Sequence, residues 1–173
     1  MKKVILFFNF VLFLSTCFAQ TVPSAESILS TAYKKAAMEN KNVFIIFHAS
    51  WCGWCKKLDA SMNDSTIKKY FDDNFITIHL TVQETAANKK LENSGADTLL
   101  AKYKGERAGL PFFLILDNKS NLIDDSFLNN ENTGCPANEK EVDYFIKILR
   151  KSTKIDEKGL YLIKKRFRKN EAH

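Results

Sequence analysis

Three features of the sequence predict an α/β domain. Val43-Phe44-Ile45-Ile46-Phe47-His48 is an almost continuous apolar run of branched and aromatic residues, the pattern of a strand buried on both faces. A helical stretch and a second strand, Phe75 to Val82, follow it, and the succession strand, helix, strand implies a crossover and a parallel pair. Phe112 to Leu116 and Leu122 to Phe127 flank the turn Asp117-Asn118-Lys119-Ser120 and read as a hairpin.

The chain opens with Lys2 and Lys3, an apolar run from Val4 to Leu14 broken only by Asn9, and then Ser15-Thr16-Cys17-Phe18-Ala19. That is the pattern of a secretory signal peptide over residues 1–19, cut after Ala19. The apolar run is shorter than the roughly 20 residues a bilayer needs, so no transmembrane span is expected in the mature chain. Leu14-Ser15-Thr16-Cys17 also offers a lipoprotein reading with Cys17 lipidated, but Thr16 is bulkier than the Gly or Ala usual before such a cysteine. The expected location is therefore exported and periplasmic, with a lipid anchor through Cys17 as the alternative.

Removing 19 of the 173 residues leaves enough chain for one domain and too little for two, so residues 20–173 read as a single domain with a basic tail from about residue 156. Ser24 can cap a helix to about Asn40 that carries Ile28, Leu29, Ala32 and Ala36 on one face. Cys55 to Met62 reads as helix, and Asp64 can cap another from Ser65 to about Asp73. Gln83 to Ala108 is polar and reads as two helical pieces around Asn93-Ser94-Gly95, Asn129 to Pro136 as a loop, and Ile155 to Lys169 as a last helix with a frayed end. Between those two, Val142, Phe145, Ile146 and Leu149 fall at helical spacing in Glu141 to Lys151, which should cover one sheet face.

The formal net charge of +6 loses two lysines and no acid with the leader. Much of the remainder sits in Lys158, Lys164, Lys165, Arg166, Arg168 and Lys169, with Glu171 as their acidic neighbour. In an exported protein such a tail reads as a solvated helix end, and no nucleic-acid partner is expected.

Three cysteines remain beyond the leader: Cys52, Cys55 and Cys135. A secreted domain stapled for stability would show an even count at scattered spacings, whereas one close pair plus a single thiol points to chemistry. Two cysteines at i and i+3 at a helix start can close and open a disulfide without moving the backbone. Cys52 should lie at the exposed N-terminal edge, where unpaired N–H groups and the helix dipole favour its thiolate, and Cys55 should point inward. Lys56 and Lys57 add positive charge. A Cys-x-x-Cys is also half a zinc site, but the other candidate ligands, His48, His79 and Cys135, include no second close pair, so neither metal nor cofactor is expected.

The run from Phe44 to Lys57, with Trp51-Cys52-Gly53-Trp54-Cys55-Lys56 at its centre, and Gly109-Leu110-Pro111-Phe112 far downstream together resemble the thioredoxin superfamily. Within it they are similar to the exported bacterial thioredoxin-like proteins with a Trp-Cys-x-x-Cys-Lys centre. The resemblance covers about Val43 to Phe127. It implies a thioredoxin-like fold, a central mixed β-sheet flanked by helices. It implies Cys52 as nucleophile, Cys55 as resolving thiol and Pro111 in the cis form facing the pair. It also makes Leu110 a docking residue that pairs with an extended substrate strand. The chain departs from the family twice: Gly53-Trp54 stands between the cysteines, and Ile46 occupies the place of the family's buried carboxylate, six positions before Cys52.

His48 shares a strand face with Ile46 and is a candidate substitute proton acceptor, against the plainer reading of a strand-end histidine with a satisfied hydrogen bond. His79 reads as structural. Trp51 and Trp54, on either side of Gly53, can form a platform for unfolded or peptide-like substrates, with Trp51 also packing under the loop. Cys135 reads as a bystander. The function these readings support is a thiol:disulfide oxidoreductase acting on protein or peptide disulfides with a redox partner protein. The rival is a non-catalytic binding module for a partner or a metal, and the intact cysteine pair argues against it.

Overall fold

A computed structural model describes residues 22–171. The leader expected over residues 1–19, its expected cleavage site and Cys17 lie outside the described residues. Helix α1 (Ala25–Glu39) begins where the Ser24 side chain accepts the Ser27 N–H and ends at Asn40, whose φ of 50° turns the chain left-handed. It delivers the chain into β1 (Asn42–His48), whose Val43 to Phe47 are all buried. Helices α2 (Gly53–Met62) and α3 (Lys68–Asn74) carry the chain across to β2 (Phe75–Thr81), which runs parallel to β1 with Ile46 opposite His79.

Strand β3 (Phe112–Leu116) pairs antiparallel with β1, and β4 (Leu122–Asp125) antiparallel with β3, giving the order β2-β1-β3-β4. The sheet is therefore mixed, with helices on both faces, as the fold class read from the sequence requires. Alternation along β1 splits the core in two. Phe44 and Ile46 face α2, α5 (Glu139–Ser152) and α6 (Glu157–Phe167), whereas Val43, Ile45 and Phe47 face α1 and α4 (Ala96–Lys102). Phe145 centres the first half, with its ring 5.7 Å from that of Phe113 and 4.9 Å from that of Phe167. Helix α5 starts on a capping box between Asn138 and Glu141.

Four sequence expectations need correction. Asp64 does not start a helix at Ser65: its Oδ1 accepts both the N–H and the hydroxyl of Thr66, forming a local turn, and α3 begins at Lys68. Of the pieces between Gln83 and Ala108, only α4 is α-helical; Ala86–Leu91 and Gly105–Arg107 are 3-10 turns. The expected loop from Asn129 holds half of a small hairpin, β5 (Phe127–Leu128) with β6 (Glu131–Asn132), closed by Asn129 and Asn130 at φ 52° and 67°. Positive φ at both turn residues is the geometry of a two-residue hairpin.

The basic tail is not a solvated end. Leu160, Ile163 and Phe167 of α6 are buried in the core, while Arg166 reaches Asp64 at 2.7 Å and Arg168 donates to the Ala137 carbonyl at 2.7 Å. That ion pair, after the hydrogen bonds from Thr66, helps to hold the Asp64 carboxyl down at about 2.

Candidate active site

Strand β1 ends at His48, and four residues later the chain enters α2 with Cys52 as its N-cap. The Cys52 Sγ accepts the Cys55 N–H at 3.0 Å, and the two sulfurs are bonded as a disulfide with the Cα atoms 5.3 Å apart. A sulfur at this position faces the free N–H groups of the first helical turn, which stabilise negative charge when the bond opens. The exposed edge expected for Cys52 is not what is found. Cys52 is only 3 % exposed and Cys55 2 %, because the pair packs against Ala49 and Leu110.

Leu110 belongs to the segment before β3, and the Leu110-Pro111 peptide is cis. Trp51 and Trp54 flank the pair and are 55 % and 48 % exposed. Trp51 is nevertheless pinned, since its Nε1 donates to the Gln83 carbonyl at 2.9 Å. Trp54 carries the Lys57 ammonium over its ring at 4.3 Å, and the same Lys57 donates to the Asn170 carbonyl, so this lysine bridges the site and the C-terminal turn. Gly53 opens onto free space. A groove of about 440 Å³ runs from Trp54 past Leu110 and Pro111 to Asn132 and Glu141.

Ile46, where the resemblance implies an acid, is fully buried in the core on the α2 side of the sheet. His48 is half-buried, its Nε2 3.2 Å from the Thr81 Oγ1, and its ring lies 5.2 Å from that of His79. Burial pushes the His48 pKa below its ordinary value and the neighbouring His79 adds to this, while Asp59 and Glu84 pull the other way. No hydrogen bond joins His48 to either sulfur among the described residues. Among the described residues, no group of three metal-ligating side chains converges.

Cys135 lies in the segment after β6, buried and with its thiol pushed up to about 12 by that burial. The Asn170 Nδ2 approaches its sulfur at 3.5 Å.

Several site residues were not singled out from the sequence. Glu84 accepts the N–H of Ser50 at 2.6 Å and its hydroxyl at 2.8 Å, bracing the loop before Cys52. The parallel register carries the signal for it: with His48 opposite Thr81, the residues just past β2 must lie beside those just past β1. The same register brings Gln83 beside Trp51, although it acts through its backbone carbonyl, whereas Asn132 carries no comparable signal because it acts from a hairpin of two-residue strands.

A family model described as thioredoxin-like matches residues 24–118, more than half of the chain. Among solved structures, the disulphide isomerase from Xylella fastidiosa Temecula1 aligns at a TM-score of 0.50 and 15 % identity, over 82 % of this chain and 88 % of that one. The oxidised C-terminal domain of Neisseria meningitidis DsbD aligns at 0.48 and 17 %, over 77 % and 99 %. At 15 % identity the likeness to the disulphide isomerase is one of fold alone. Among the described residues no helix is long and apolar enough to cross a membrane.

Proposed function

The chain belongs to the thioredoxin-like family, and on that premise we propose that it is an exported thiol:disulfide oxidoreductase that exchanges protein or peptide disulfides through Cys52 and Cys55. The observation that carries the reading is the placement of the Cys52 sulfur at the N-terminus of α2, where it accepts the Cys55 N–H at 3.0 Å. That position favours Cys52 as the thiolate that attacks.

In the reducing direction, the Cys52 thiolate attacks one sulfur of a substrate disulfide. A Cys52 mixed disulfide forms and the other substrate sulfur leaves as a thiolate. Cys55 then loses its proton and attacks the Cys52 sulfur, releasing the second substrate thiolate. The substrate has gained two electrons and the protein is left with the Cys52–Cys55 disulfide. A dithiol partner protein restores the pair by the same steps in reverse, and the oxidising direction is the mirror of this cycle. Leu110 and Pro111 face the substrate chain, Trp51, Gly53 and Trp54 form the rim around the sulfurs, and His48 accepts the Cys55 proton.

The test is trapping. Cys55→Ser should accumulate mixed disulfides with substrate proteins, whereas Cys52→Ser should trap few. Rapid alkylation of Cys55 beside an inert Cys52 at neutral pH would reverse the assignment. Export is tested separately by the mass of protein recovered from the cell envelope: a chain starting at Gln20 supports it, and a lipid-modified Cys17 at the first position replaces it with the anchored form.

A further inference from the structure

Asn132 closes β6, downstream of the stretch matched to the family. Its Nδ2 lies 3.1, 3.1 and 3.0 Å from the carbonyl oxygens of Ala108, Gly109 and Pro111, and its Oδ1 accepts the Gly134 N–H at 3.0 Å. A carboxamide nitrogen carries two hydrogens, so three carbonyls share two donors and are drawn to one point. The residue skipped is Leu110. Its N–H and C=O have no hydrogen-bond partner among the described residues, and its side chain packs on the Cys52–Cys55 cluster.

The hairpin that holds Asn132 is itself fixed. The Thr133 N–H and hydroxyl both donate to the Ser126 carbonyl, at 2.8 and 2.9 Å. Ser126 is fully buried, donates its N–H to the Phe113 carbonyl and accepts the Phe113 N–H on its Oγ. The clamp is thus tied to β3 two residues past Pro111. Gly134 lets the chain come this close: a Cβ there would lie 3.1 Å from the Pro111 carbonyl, at a φ of 52° that other residues rarely adopt.

We propose that Asn132 is a positioning residue for substrate. It holds the carbonyls on both sides of Leu110 turned toward the hairpin, which leaves the Leu110 N–H and C=O preset to pair with an extended polypeptide lying in the groove. The inference rests on the oxidoreductase reading and deepens it. Affinity for an extended chain comes from the Leu110 backbone edge, and the hairpin sets that edge independently of the chemistry at sulfur. A disulfide too small to reach Leu110 gains nothing from Asn132.

The experiment compares the exported protein with its Asn132→Ala and Asn132→Asp variants. The second is nearly isosteric but offers the three carbonyls an acceptor in place of two donors, and circular dichroism verifies that both variants remain folded. Three readouts are taken: KM and kcat for insulin disulfides, the exchange rate with hydroxyethyl disulfide, and binding of the cysteine-alkylated insulin B chain followed by tryptophan fluorescence. The net worth of a hydrogen bond or two predicts a rise of about five- to tenfold in KM and a matching loss of B-chain binding. The expected kcat and hydroxyethyl disulfide rate stay within about twofold. Unchanged B-chain binding in both variants would overturn the proposal, as would equal slowing of insulin and hydroxyethyl disulfide. Weakened B-chain binding in the variants, alongside a wild-type protein that exchanges neither disulfide, would leave the positioning role standing and sink the oxidoreductase reading instead.

Discussion

The Nε2 of His79 lies 2.7 Å from the Oδ1 of Asp59, which stands one helical turn beyond Cys55 on α2. His79 thereby links the helix that carries Cys55 to His48, whose ring it meets edge to face at 5.2 Å. His48, His79 and Asp59 thus form a chain of two imidazoles and a carboxylate between the sheet and α2.

This arrangement makes a kinetic prediction. Cys55 must lose its proton in apolar surroundings that raise a thiol's pKa, and general base assistance is typically worth about 10² to 10⁴ in rate. His48→Ala should slow release of a mixed disulfide more than its formation, and Ile46→Asp should partly restore release in that background, both read by stopped-flow with a peptide disulfide from pH 5 to 9. Equal effects on the two steps, or none, would make His48 a scaffold residue. The lowered His48 pKa also sets a stability slope. The unfolded chain binds this proton near about 6.5 and the folded chain only at lower pH, so between those values the unfolded state holds more protons and stability falls as pH falls. His48→Gln should flatten that part of the pH profile of unfolding.

Cys135 should be silent. Its thiol is buried and pushed up to about 12, so almost none is ionised near neutrality. Native reduced protein treated with iodoacetamide at pH 8 should gain label first at Cys52, whose place at the N-terminus of α2 favours the thiolate, and become reactive at Cys135 only on unfolding. Disulfide exchange by Cys135→Ala should stay within about twofold of wild type, since a buried neutral thiol offers no nucleophile. Fast labelling of native Cys135 would contradict its placement.

Phe167 tests whether the basic tail belongs to the fold. Its ring is fully buried and 4.9 Å from Phe145, so Phe167→Ala should cost about 3 to 5 kcal/mol in urea unfolding, as large-to-small core changes do. A loss below about 1 kcal/mol would restore the reading of a solvated end.

The parallel pair, the hairpin of β3 and β4 and the helix over Phe145 were legible because their signals are local: alternation, apolar runs and helical spacing all act within a few residues. The cysteine pair was legible for the same reason. The tail misled because its charges outnumber Leu160, Ile163 and Phe167 in sequence, although those three fall on one face of α6 and decide where it packs. Asn132 was not legible at all. Its significance lies in three carbonyls 21 to 24 residues away, and strands of two residues are too short to show alternation. The burial of Cys52 was missed because it depends on Leu110, brought over the pair from a distant segment.

The most direct test of the account is the redox equilibrium of the Cys52–Cys55 couple in glutathione buffers, approached from both the oxidised and the reduced protein. A working exchange centre should give one reversible two-electron transition, the same from either side, at about −120 to −270 mV, the range spanned by thiol–disulfide oxidoreductases. A pair that stays oxidised in every glutathione buffer, with a potential below about −300 mV, would be a structural staple. That result would contradict the central claim that Cys52 and Cys55 turn over.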